Sequence, residues 1–269
     1  MSRPAHSTPR TVTGPLLPGE ATLIASWRAL ARRSADATVD ERPASVAAIF
    51  PAWEPLNNAI ARVPVTDADA TSAEVTRLAA QYRAAGVDEW AYWIASPTAD
   101  LTTPDDATVA GLRRDTTTLV MVAELGPGLE RHDGVVATSV ESAAVAGDEP
   151  VWRDALDAHE PDAELQSWVL LRDGFAVAGL WACVNDGDCG IYAMGTAPQW
   201  RRQGLARSLI EHALAVVRED GARTASLQST PMAVSLYRSL GFEAVGRYEE
   251  WVWGPTTTSI PSDRDSLSD

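Results

Sequence analysis

The stretch Gln199-Trp200-Arg201-Arg202-Gln203-Gly204-Leu205-Ala206-Arg207 constrains this chain more than any other. It joins an apolar, strand-like run ending at Thr196-Ala197-Pro198 to the clearest helical period in the sequence: Leu205, Leu209, Ala213 and Val216/Val217 recur at four-residue spacing, and Gly221 stands past the end as a stop. The pattern predicts a helix beginning at Gln203 or Gly204 with one face in a core. A glycine-bearing strand-to-helix turn suits a phosphate, because the first N–H groups of a helix have no internal partner and sit at the positive end of its dipole. Gly204 and Ala206 leave the backbone approachable. Arg201, Arg202 and Arg207 place three positive charges within seven residues. Taken alone, the turn reads equally as a solvated, arginine-rich helix start.

Around this turn, Ser167 to Leu171, Phe175 to Val184, Gly190 to Ala197 and Ala225 to Gln228 read as strands, bounded by Arg172-Asp173-Gly174, Asn185-Asp186-Gly187-Asp188 and Pro198. Three adjacent antiparallel strands therefore precede the long helix. A strand, a short helix starting at Pro231 and a final strand pair ending at Trp253 follow it. The mixture predicts an α/β (α+β) mixed sheet. Residues 1–18 and 254–269 are rich in Pro, Ser, Thr and Gly without an apolar period and read as disordered tails.

Charge removes several function classes. The chain has 37 acidic and 22 basic residues, a formal net charge of -15, so nucleic acid is an unsuitable partner. Every basic residue is arginine, which excludes the P-loop lysine, Schiff-base chemistry and lysine general bases together. No run of eighteen apolar residues and no apolar signal core is present, so the expectation is a cytoplasmic protein without a membrane partner. His6, His132, His159 and His212 are scattered, and no metal is expected. Cys183 and Cys189 flank a turn and could face one another across a hairpin, although reduced, buried thiols are the better reading for that compartment.

The string Met194-Gly195-Thr196-Ala197-Pro198-Gln199-Trp200-Arg201-Arg202-Gln203-Gly204-Leu205-Ala206-Arg207 resembles the acyl-CoA signature of the GNAT superfamily of N-acyltransferases, Q/R-x-x-G-x-G/A, with Arg201, Gly204 and Ala206 on the pattern. Leu236-Tyr237-Arg238-Ser239-Leu240-Gly241-Phe242 resembles the family's second signature, L-Y-x-x-x-G-F, at the usual distance. The likeness extends over about Gly134 to Trp253. It implies acetyl-CoA as cosubstrate and a small-molecule or peptide amine as acceptor, attacked directly in a ternary complex, in a monomer or homodimer. Met194, Gly195 and Thr196 are then expected to pair with the pantetheine arm. Arg201, Arg202, Gln203, Gly204, Leu205, Ala206 and Arg207 are expected to hold the pyrophosphate, with Thr230 beside the cofactor. Tyr237 is placed to protonate the leaving thiolate, or else to pack as a core aromatic. Where some relatives carry a glutamate base this chain has Ala225, and where others carry an asparagine it has Thr230. Asp186, Asp188, Glu249 and Glu250 are strand-end carboxylates that could take the amine's proton, none of them singled out by sequence. Trp251 and Trp253 share one side of the last strand, as core or as pocket wall.

At 269 residues the chain is long for one domain on the usual scale of roughly 100 to 200 residues each. Setting Tyr82-Arg83-Ala84-Ala85-Gly86 against Val217-Arg218-Glu219-Asp220-Gly221 brings Trp90 to Ile94 onto Ala225 to Gln228, Ala110-Gly111-Leu112 near Leu240-Gly241-Phe242, and Thr118 to Ala123 onto the last strands, a repeat of about 130 residues. The first copy has no glycine between Gly19 and Gly86, and Ala107 falls where Tyr237 would be expected. The expectation is a degenerate GNAT-like module over residues 19–130 and a GNAT N-acetyltransferase domain over residues 134–253. The alternative is a non-catalytic CoA-binding scaffold or sensor.

Overall fold

The computed structural model describes residues 17–62, 67–99, 109–157 and 164–254. Ala107 and the tail stretches 1–16 and 255–269 lie outside them. The first half runs α1 (Glu20–Ala31), β1 (Thr38–Glu41), β2 (Ser45–Ile49), β3 (Asn58–Ala61), α2 (Ala68–Ala84), β4 (Trp90–Ser96) and β5 (Arg113–Glu124). The second runs β6 (Val135–Ala137), α3 (Val140–Asp148), β7 (Val151–Trp152), β8 (Leu165–Arg172), β9 (Phe175–Asn185), β10 (Asp188–Thr196), α4 (Leu205–Glu219), β11 (Thr224–Ser229), α5 (Val234–Ser239) and β12 (Glu243–Trp253). This is a mixed α/β fold built on one sheet in the order β1-β2-β3-β4-β12-β5-β11-β10-β9-β8-β6, with β7 on β9.

Local chemistry explains the hairpins. Asp173-Gly174 and Asp186-Gly187 all have positive φ (51°, 83°, 48° and 79°), the backbone of a two-residue turn that matches strand twist. They close β8 on β9 through Arg172 opposite Phe175, and β9 on β10 through Asn185 opposite Asp188. That register sets Cys183 against Gly190 and Cys189 against Val184, so the two thiols do not face each other. They lie in different cores on opposite sides of the sheet, which excludes the bridge.

The two halves repeat one element order. Each has a helix, an antiparallel three-strand meander, a second helix, a strand parallel to the third meander strand, and a long last strand. The last strands are exchanged between halves. β12 lies against β4, β5 lies against β11, and β5 and β12 pair with each other at the centre. The final strand pair expected from sequence is thus one eleven-residue strand whose partners both come from the first half. Gly246 marks a register shift there instead of a turn.

Leu119 and Met121 of β5 join Leu209, Ile210, Ala213, Leu214 and Val217 of α4 on one face, while Val120 joins Trp27 of α1 and Tyr248 of β12 on the other. Each such buried aliphatic side chain contributes about 1.5–3 kcal/mol relative to exposure. Glu20 of α1 is buried at the seam, where it accepts from Tyr248 Oη at 2.8 Å and pairs with Arg62 at 2.5 Å. α1 therefore ties the first half to the exchanged strand.

Candidate active site

The site begins where two parallel strands part. β10 and β11 are paired only over Asp188–Gly190 and Thr224–Ser226; beyond that β11 continues along β5, and β10 along β9. A register shift between Tyr192 and Gly195, with Ala193 at φ 47°, bends β10 further. The side of β10 facing β11 from Ile191 to Thr196 therefore carries no strand among the described residues, and backbone groups so placed can pair with an extended ligand. Met194, Gly195 and Thr196 all lie on this stretch. Gly195 is needed for another contact as well: a Cβ there would stand 2.6 Å from Gly147 Cα, so the two glycines let α3 lie directly on β10.

The turn after β10 leads into an uncapped helix. Arg202 (φ 62°) and Gly204 (φ 79°) adopt left-handed backbone, and no side chain caps α4, leaving its leading N–H groups to a ligand or water. Among the described residues, a Cβ on Gly204 would meet nothing within 4 Å, so the space beside it at the head of the helix is open. Arg202, Gln203 and Gly204 are exposed, whereas the Leu205 side chain is in the core and Ala206 is half-buried. The arginines divide their work. Arg201 Nε donates to Thr196 O at 2.9 Å and braces the end of β10. Arg207 turns away, donating to Ser239 Oγ at 2.9 Å and pairing with Glu211 at 3.0 Å, so its backbone N–H is what remains in the first turn.

Where β10 and β11 diverge lies a cavity of about 300 Å³ whose lining includes Met194, Thr230, Tyr237 and Glu250. Tyr237 is buried against Phe242 at 5.8 Å between ring centres, and burial pushes its hydroxyl up to about 12, so it carries a proton at neutral pH. Burial pushes the Glu250 carboxyl up to about 7; Thr118 Oγ1, donating to it at 3.0 Å, works against this, and the charge of Asp115 adds to it. One cavity thus holds a protonated phenol and a carboxyl poised to exchange a proton near neutrality.

The other carboxylates fall elsewhere. Asp188 accepts from Thr22, Thr224 and Ser226 at 2.7–2.8 Å and locks α1 onto β10 and β11. Asp186 is in the hairpin turn, and Glu249 pairs with Arg247 at 2.8 Å. Trp251 is buried against the α2 side and Trp253 stacks on Trp90, which makes both of them core. Sequence reasoning did not identify Trp93, Thr118 and Tyr192, which also line the cavity. Trp93 and Thr118 reach it from the first half because β4 and β5 flank β12. Among the described residues no group of three His, Cys, Asp or Glu is arranged to hold a metal, and no helix is long and apolar enough to cross a membrane.

Comparison with known proteins bears on the second half most directly. The model of the acetyltransferase (GNAT) family matches residues 137–242. Among solved structures, a GCN5-related N-acetyltransferase from Kribbella flavida superposes with a TM-score of 0.60 at 22% identity, covering 89% of this chain and 97% of that one. A GNAT-family protein from Novosphingobium aromaticivorans gives 0.52 at 20% identity over 81% and 92% of the two chains. A protein of unknown function from Staphylococcus epidermidis gives 0.53 at 13% over 82% and 95%. No curated protein matches. These likenesses show a shared fold along most of the chain, and residues 137–242 are a domain of the acetyltransferase (GNAT) family.

Proposed function

We propose that this chain transfers an acetyl group from acetyl-CoA to a primary amine by direct attack in a ternary complex. The observation that carries the reading is the convergence, at the split between β10 and β11, of an unpaired strand edge, an uncapped helix start flanked by Arg201 and Arg202, and a cavity holding Tyr237 and Glu250. Met194, Gly195 and Thr196 pair with the pantetheine arm, and the N–H groups at the start of α4 with Arg202 hold the pyrophosphate. Bound acetyl-CoA supplies the thioester carbonyl.

The chain's own groups handle the protons. Glu250 takes one proton from the incoming ammonium, freeing the nitrogen lone pair. As the N–C bond forms and the C–S bond breaks, Tyr237 gives its proton to sulfur and recovers one from the nitrogen. The sum is ammonium plus thioester giving amide, thiol and one proton released through Glu250. Holding both reactants in one cavity supplies proximity.

On this reading residues 134–253 form the catalytic domain and residues 19–130 a degenerate copy that binds no CoA. Support comes from the start of α2, where Asp67 Oδ1 accepts from Ala70 N at 2.9 Å and occupies the place a phosphate would take. The test is release of CoA thiol from acetyl-CoA across a panel of primary amines, beside calorimetry with CoA. Amine-dependent release supports the enzyme; tight CoA binding without turnover on any amine would instead indicate a scaffold.

A further inference from the structure

We infer, building on the acetyltransferase reading, that the acceptor is a small primary amine with no carboxylate beside its amino group, held as an ammonium ion on Glu250 in a pocket to which both halves contribute walls. Charge is the first argument. Among the described residues lining the cavity, Glu250 is the only carboxylate, and no arginine or histidine lines it. A free amino acid would bring its own carboxylate next to Glu250 with no cation among the described lining residues to pair it, and like charges at a desolvated site repel strongly. An amine lacking that group meets only an opposite charge.

The walls give the second argument. Trp93 and Tyr192 line the same cavity. Trp93 is held edge-on by Trp27 at 6.3 Å and against Tyr248 at 5.4 Å, and Tyr192 is packed on Trp181 at 4.5 Å, so these rings are fixed by their neighbours. Rigid aromatic faces beside one buried carboxylate suit an organic cation with an apolar body. Size is the third. About 300 Å³ is at the lower end for small-molecule pockets, and the thioester end of the donor shares it. An amine with a short apolar substituent fits the remainder. Gln228, Ser229, Thr230 and Thr118 are neutral polar residues on the lining that a hydroxyl on that substituent could meet.

The experiment compares matched pairs that differ only in the carboxylate: tyramine with tyrosine, and 3-methylbutylamine with leucine. Each is given with saturating acetyl-CoA to the full-length protein, and an Ala-Ala-Ala peptide is run alongside. The amines should exceed their amino acids in kcat/KM by tenfold or more. In Glu250→Gln, which keeps the shape and removes the charge, turnover should fall and the ratio between pair members should shrink toward one. Calorimetry with CoA on the same preparations monitors the cofactor site separately. Equal or better use of the amino acids, or turnover of the peptide alone, would overturn the acceptor assignment while leaving the acetyltransferase reading standing. Failure of either amine to react would overturn it too, and the CoA titration then tells whether the cofactor site falls with it.

Discussion

Helices α2 and α4 occupy the same station in the two halves, each after the third strand of a meander and before a strand parallel to it, yet their first turns are built in opposite ways. α2 opens on Asp67, whose carboxylate caps it, with Asp69 following. α4 opens on Gly204 in left-handed conformation with no cap, no acid in its first turn, and Arg201 and Arg202 just before it. One helix satisfies its own positive end and gains about 1 kcal/mol of capping energy. The other forgoes that stabilisation and leaves its N–H groups and dipole for an anion. Both helices nonetheless bury an apolar face, α2 through Val75, Leu78 and Tyr82 and α4 through Leu209, Ile210, Ala213 and Val217. On the proposed reading, cofactor binding rests on a few residues at a helix start, and the first half keeps its core without them.

The substitution expected to disturb this contrast most is Gly204→Glu. It places a side chain into open space in front of α4, forces a non-glycine residue to φ 79°, and sets a negative charge against the pyrophosphate. CoA affinity should fall roughly a hundredfold or more. Calorimetry together with circular dichroism separates lost binding from lost folding.

Next in size are the two pocket groups. Tyr237→Phe should keep CoA affinity and lower kcat by a factor on the order of 10². A folded variant with full turnover would reduce Tyr237 to packing. Glu250 makes a prediction in pH. A base acts when deprotonated, so kcat/KM should rise with pH through about 7, and Glu250→Gln should flatten that limb. Stability should move the other way. Burial raises the Glu250 pKa from its ordinary 4.5 to about 7, so the stability this group contributes is complete below the unfolded value and is lost as pH rises through the folded one. Glu250→Gln should therefore melt higher than the parent at pH 8.5, by a few degrees, and no higher at pH 4. Among the described residues, Thr118 and Asp115 of β5 act on Glu250, Tyr237 and Tyr192 line the same cavity, and Arg247 and Glu249 are paired to each other on its own strand.

The smallest effect is expected in the first half. Asp67→Ala should cost about 1 kcal/mol, read as a small drop in melting temperature, and leave CoA affinity unchanged. Appearance of a second CoA site in that variant would mean that Asp67 alone had silenced the first copy.

Much of this was legible in the sequence, and for definite reasons. The α4 helix, the two Asp-Gly hairpins and the strands of the second meander follow from periodicity and turn chemistry, which act over a few residues. The turn into α4 was legible because Gly204 sits just ahead of the helical period and Pro198 just past the strand. Strand exchange was not legible: nothing local tells β12 to pair with β4 and β5, since strand partners are chosen by the whole sheet. Glu250 could be named only as one of four candidate carboxylates, for the same reason. As one of two consecutive glutamates near the chain's end it reads as a solvated face, and only its position between strands of the first half buries it beside Tyr237. Arg207, expected at the pyrophosphate from the resemblance, directs its side chain to Ser239 of α5 and to Glu211 one turn along α4.

The central claim is that the two halves share a fold and differ in cofactor binding. Its most direct test is titration of CoA into the full-length protein, followed calorimetrically, in parallel with Gly204→Glu. Saturation at one equivalent per chain, and loss of that binding in the variant, are expected. Two equivalents per chain, or one equivalent undiminished in a folded Gly204→Glu protein, would contradict it.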